Sequence, residues 1–78
     1  MADELFTRFA KTAAESLSKP VEEVKPEASF ADDLDADSLD LVQMVMDLEE
    51  EFDITVDEDE LEGITTVGQA FELISAKL

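Results

Sequence analysis

The chain contains no cysteine and no histidine, and it has no lysine or arginine anywhere between Lys25 and Lys77. The first absence excludes a disulfide and, with the second, a Cys/His metal site as a staple. It leaves the redox compartment open. The third leaves any serine in that span without a neighbouring base or cation to activate it as a nucleophile. No apolar run approaches membrane length. The N-terminus carries Asp3 and Glu4 in place of a basic segment followed by an apolar one, so a cytosolic chain, or a processed plastid or mitochondrial one, is expected. The length, 78 residues, predicts a single domain, 1–78, that buries about 60% of its unfolded surface. Its stability must come from helix packing around Leu, Val, Ile, Phe and Met.

Five basic residues face 22 acidic ones, for a net charge of −17. Such a chain repels nucleic acid and anionic lipid, so neither nucleic-acid binding nor membrane insertion is expected. Solubility alone explains some acidity, but an unbroken run from Pro26 to Ala76 without a positive charge points to steering toward a basic protein surface.

The pattern is helical. Leu5, Phe9, Ala13 and Leu17 recur every four residues between Asp3 and Leu17, with Phe6 and Ala10 beside them and no Gly or Pro to interrupt. Arg8 and Lys11 lie on this first helix. Pro20 and Pro26 then stop helical continuation and favour extended neighbours, which predicts a long ordered loop from Ser18 to Ala36 pinned by Val21, Val24, Phe30 and Leu34. A second helix runs from Ser38 to Phe52. Each residue turns about 100°, so Leu41, Val45, Leu48 and Phe52 form one stripe, and Leu39, Val42 and Met46 another. Two stripes exceed what one helix needs for a core. The stripe ending at Phe52 is assigned to the interior, and the other to an acid-ringed docking face. Asp57-x-x-Glu60 starts a short helix that includes Leu61 and stops at Gly63, read as a left-handed cap. Thr66-x-x-Gln69 is a capping-box pattern for a last helix, with Val67, Ala70, Phe71, Ile74 and Leu78 on its apolar face. The fold class is therefore all-α, a small four-helix bundle of three longer helices and one short one, with the long loop between the first and second.

Asp37 has the short acceptor side chain of an N-cap and Asp40 adds an acid in the first turn, which places Ser38 at the start of the second helix. There its hydroxyl lies beside free backbone N–H groups at the positive end of the helix dipole, a favourable place for an added phosphate. Most serines at helix starts only cap. A serine with no activator nearby is used only if another enzyme modifies it, and any thiol must then arrive on the attached group. Those properties describe a carrier, not a catalyst. The competing readings are a non-carrier acidic interaction module and a calcium-binding one, and the calcium loop at Asp33-x-Asp35-x-Asp37 fails because its sixth position is Ser38 where Gly is needed and its twelfth is Met44 where Glu is needed. Counting instead from Asp57 puts Leu61 at the fifth position, and no metal site is expected.

Three motifs in order, Asp37-Ser38-Leu39, Leu48-Glu49-Glu50-Glu51-Phe52 and Ile64-Thr65-Thr66-Val67-Gly68, give the chain a resemblance to the acyl carrier proteins over essentially its whole length. It most resembles the discrete carriers of bacterial or plastid fatty-acid synthesis. The resemblance implies that Ser38 receives 4′-phosphopantetheine from coenzyme A through a phosphopantetheinyl transferase, the holo-acyl carrier protein synthase, and that the arm's thiol carries growing acyl chains as thioesters. It further implies a non-enzymatic, monomeric protein whose Asp37, Leu39, Asp40, Val42, Met46, Glu49 and Glu50 meet basic patches on that transferase and on the fatty-acid synthase enzymes. The interior beneath the second helix would shelter the acyl chain. Three positions depart from the family pattern: Asp35 where Gly is common, Gln43 where Glu is common, and Phe71 where a smaller aliphatic residue is usual. The first two leave a polyketide carrier open, and the third narrows the acyl cavity.

Overall fold

A computed structural model describes residues 2–78, with side chains from residue 4 onward. Four α-helices are present among them: α1 (Ala2–Leu17), α2 (Ser38–Phe52), α3 (Glu58–Leu61) and α4 (Val67–Ala76). A short 3-10 turn, Val21–Glu23, interrupts the long loop. The described residues form no strand, and the architecture is the expected all-helical one of three longer helices and one short helix.

With only two glycines to spend, the chain turns its corners on other residues. Ser18 after α1, Asp35 in the loop and Asp53 after α2 all take left-handed backbone conformations, with φ of 58°, 53° and 56°. Asp is among the few side chains that tolerate this region, because its short polar group bonds locally. Asp35 thus stands where the family pattern commonly has Gly and holds a glycine-like conformation. Gly63, expected as a left-handed cap, has no positive φ. The chain instead leaves α3 through a tight turn in which the Ile64 N–H donates to the Leu61 carbonyl at 3.1 Å.

The core is contiguous. Phe9, Ala13, Met44, Leu48 and Val67 are fully buried, with Phe30, Leu34 and Ile74 nearly so. On α2, Val45, Leu48 and Phe52 face inward as expected and Leu41 is half-buried. Met44, absent from both predicted stripes, is among the most buried side chains of the chain. It lies one turn before Leu48 on the same face, so the buried arc is wider than a single stripe. Two apolar residues expected to anchor the core do not. Val21 is exposed, because the 3-10 turn stacks residues three apart and only Val24, a turn further on, reaches the interior. Leu78 is exposed because α4 ends at Ala76, which breaks the spacing from Ile74.

Aromatic and ionic contacts tie the helices together. Phe71 of α4 meets Phe6 and Phe9 of α1 edge-on, with ring centroids 5.0 and 5.4 Å apart, a favoured arrangement. Arg8 of α1 reaches across to α2, where it donates to the Glu51 carboxylate at 2.6 Å and to the Glu51 carbonyl at 2.8 Å. Its guanidinium also lies 4.8 Å from the Phe52 ring centre. Lys77 pairs with Glu60 of α3 at 3.0 Å.

Candidate functional site

Ser38 is the first residue of α2 and is exposed. Its placement follows from a reciprocal capping box: the Asp40 N–H donates to Asp37 Oδ1 at 2.9 Å, and the Asp37 N–H donates to Asp40 Oδ2 at 3.1 Å. A short acceptor at the N-cap and a carboxylate three residues on is the pattern that satisfies these donors. The box uses the N–H groups of Asp37 and Asp40, so those of Ser38 and Leu39 remain as first-turn donors without an intrahelical acceptor. A phosphate ester on Ser38 Oγ would meet them at the positive end of the helix dipole.

The loop that delivers Ser38 is pinned by backbone pairing to the start of α4. The Phe30 N–H donates to the Thr65 carbonyl at 3.0 Å, the Val67 N–H to the Ala28 carbonyl at 2.9 Å, and the Gly68 N–H to the Pro26 carbonyl at 2.9 Å. A Cβ on Gly68 would stand 3.0 Å from that Pro26 oxygen, so any other residue here must push the two backbones apart by a few tenths of an ångström. The loop then closes on itself, with the Ala36 N–H donating to the Phe30 carbonyl at 2.7 Å and Ser29 held by Asp33 Oδ2 at 2.7 Å. Thr66 and Gln69 complete the frame as a second capping box. The motif Ile64-Thr65-Thr66-Val67-Gly68 therefore positions the serine from a distance of about thirty residues in sequence, a non-local effect that no periodicity announces.

Two clefts flank Ser38. One, of about 500 Å³, lies between the loop and α2, with Phe30, Ala36, Leu41 and Ile64 among its walls. The other, of about 360 Å³, lies between α2 and α3 and includes Leu41, Val42 and Leu61. Both are in the size range of small-ligand sites.

The outer stripe of α2 is exposed as expected: Leu39 is 78%, Met46 53% and Val42 40% accessible. Asp37, Asp40 and Glu50 are exposed around it. Glu49 is half-buried, and its carboxylate accepts from the Val56 N–H at 3.0 Å, which ties α2 to the segment that leads into α3. Among the described residues no group of carboxylates is disposed to hold a metal ion, and no helix is long and apolar enough to cross a membrane.

A family model described as a phosphopantetheine attachment site matches residues 7–74. An acyl carrier protein of Petrotoga mobilis is 49% identical over 76 residues, covering 97% of this chain and 89% of the relative. One from Picosynechococcus is 46% identical over 77 residues, covering 99% and 95%. A third, from Exiguobacterium, is 43% identical over 76 residues, covering 97% and 96%. A family match across most of the sequence, joined to relatives of one name that align nearly end to end, leaves a single conclusion: the chain belongs to the acyl carrier proteins, carrier domains whose attached group is phosphopantetheine.

Proposed function

We propose that Ser38 is the residue that bears 4′-phosphopantetheine, and that the chain carries growing fatty acyl chains as thioesters on the arm's terminal thiol between the enzymes of fatty-acid synthesis. The observation that carries this reading is the contrast among the serines. Ser38 combines an exposed hydroxyl with a helix N-terminus and unused first-turn N–H groups. Ser18 sits at the opposite, negative end of α1. Ser16 is half-buried within α1, Ser29 accepts from the Asp32 N–H, and Ser75 donates to the Glu72 carbonyl in the last turns of α4.

The modifying enzyme supplies the base, since the sequence holds no His or Cys and no cation between Lys25 and Lys77. That enzyme is a phosphopantetheinyl transferase, and its basic surface meets the acid-rimmed stripe of Leu39, Val42 and Met46, with Asp37, Asp40, Glu49 and Glu50 around it. The fatty-acid synthase enzymes use the same face. Long-range attraction to a body of charge −17 speeds these encounters. The whole chain acts as one carrier domain in the cytoplasm.

Acyl transfer tests the pathway. Protein loaded with the arm and incubated with malonyl-coenzyme A and a malonyl transferase of bacterial fatty-acid synthesis should gain one malonyl group removable by hydroxylamine. A loaded chain that stays unacylated, while a bacterial fatty-acid carrier treated alongside is acylated, overturns the assignment.

A further inference from the structure

We infer that Asp35 is a specificity-determining residue for loading: its carboxylate pairs with a cationic side chain that the transferase sets beside the active site in which it receives Ser38. The inference rests on the reading of Ser38 as the attachment point, and it adds Asp35 to the acids around the docking stripe.

The acids nearest Ser38 divide by what they already hold. Asp33 Oδ2 accepts from the Ser29 N–H, and Asp37 and Asp40 each commit one oxygen to the capping box. Asp35 is exposed, and among the described residues its carboxylate accepts no hydrogen bond and meets no cation. The local bond that usually eases Asp into a left-handed conformation is therefore missing at a φ of 53°. Glycine would hold this corner at less cost, so the backbone admits Asp35 without accounting for its charge.

Placement gives that charge a use. Leu34 and Ala36 on either side are buried, and their N–H groups donate to the Ser29 carbonyl at 3.1 Å and the Phe30 carbonyl at 2.7 Å. The corner is fixed, so its carboxylate is presented with little left to order. Three residues span at most about 11 Å, whereas a standard interface of about 800 Å² per partner reaches roughly 16 Å from its centre. An enzyme that closes over Ser38 therefore covers Asp35. A covered carboxylate without an internal partner loses its water uncompensated unless the enzyme answers it with a cation.

Asp53 provides the control. It too is exposed, left-handed at a φ of 56° and without a side-chain partner among the described residues, but it caps the far end of α2, about 22 Å along the helix from Ser38. Asp35→Asn and Asp53→Asn remove the same charge from the same backbone conformation, which Asn also tolerates. Loading by coenzyme A and the organism's own holo-acyl carrier protein synthase is followed by intact mass at a series of chain concentrations. The expected result is a KM raised about two- to fivefold by Asp35→Asn, the range for one exposed ion pair. Its kcat and melting temperature should match the wild type, and the difference in KM should fade at high salt. Asp35→Gly should raise KM alike, and Asp53→Asn should leave it near the wild-type value. Equal rises from Asp35→Asn and Asp53→Asn would reduce the effect to overall charge and overturn the pairing. An unchanged KM, or a kcat that falls while KM holds, overturns it too and leaves the attachment intact. A wild-type chain that gains no mass overturns the attachment and the pairing together.

Discussion

Leu48→Ala and Leu39→Ala make the same chemical cut twice on one helix, so their difference isolates burial from helix propensity. Leu48 is fully buried, while Leu39 is 78% accessible. Removing the equivalent of about three methylene groups at Leu48 costs about 2.4 kcal/mol of transfer free energy at ~0.8 kcal/mol each. The cavity left in the core raises the loss toward about 3–5 kcal/mol. A chain of 78 residues has a total stability of about 4–12 kcal/mol, so this one change removes much of it. Leu39→Ala should cost within about 0.5 kcal/mol, as surface changes do. Urea unfolding followed by far-UV circular dichroism suits a protein without Trp or Tyr, and the midpoints should move at constant slope. Transferase loading should show the converse, with Leu39→Ala slowed through lost contact at the centre of the docking face. Stability losses within about 1 kcal/mol of each other, or loading indifferent to Leu39, would refute the division of α2 into a core face and a docking face.

The two glycines should behave oppositely. Gly63→Ala meets nothing within 4 Å and should raise the melting temperature slightly, by about 0.4–1 kcal/mol of stability. Gly68→Ala drives a Cβ against the Pro26 carbonyl and should lower it despite the gain in helix propensity. Equal shifts would mean that the loop yields freely. Acid titration reads the Glu60–Lys77 pair: the Lys77 hydrogen bond, aided by the Asp57 N–H and opposed by desolvation, holds the Glu60 carboxyl below its ordinary value of 4.5. A depressed carboxyl stabilises fully above the unfolded value and loses that contribution as pH falls through the folded one. Lys77→Met should therefore melt below the wild type at neutral pH and converge with it in acid well below 4.5. A gap that persists in acid would assign the effect of Lys77 to packing of its stem.

The start of α2 was legible because Asp37, Ser38 and Asp40 are local signals: a cap, a first-turn position and an acid, each with its own physics. The same holds for Thr66 and Gln69 at α4. Met44 is legible on the same grounds, since its spacing of four from Leu48 places it on the buried face. Val21 and Leu78 failed because apolar identity predicts burial only while the assumed geometry continues, and a 3-10 turn and a helix end intervened. The pairing of Pro26, Ala28 and Phe30 with Thr65, Val67 and Gly68 joins segments far apart in sequence. Nothing in either segment alone specifies its partner, so the wall of the larger cleft beside Ser38 emerged only with the fold. Asp35 is the reverse case: a departure from the family pattern that suggested another pathway has a local backbone reason, its φ of 53°.

Intact mass after incubation with coenzyme A and a phosphopantetheinyl transferase tests the central claim most directly. The wild-type chain should gain one phosphopantetheine and Ser38→Ala none, with Ser16, Ser18, Ser29 and Ser75 serving as internal controls within the same molecule. A Ser38→Ala protein that gains the group, or a wild-type chain left unmodified by a transferase that loads other carriers, would contradict it.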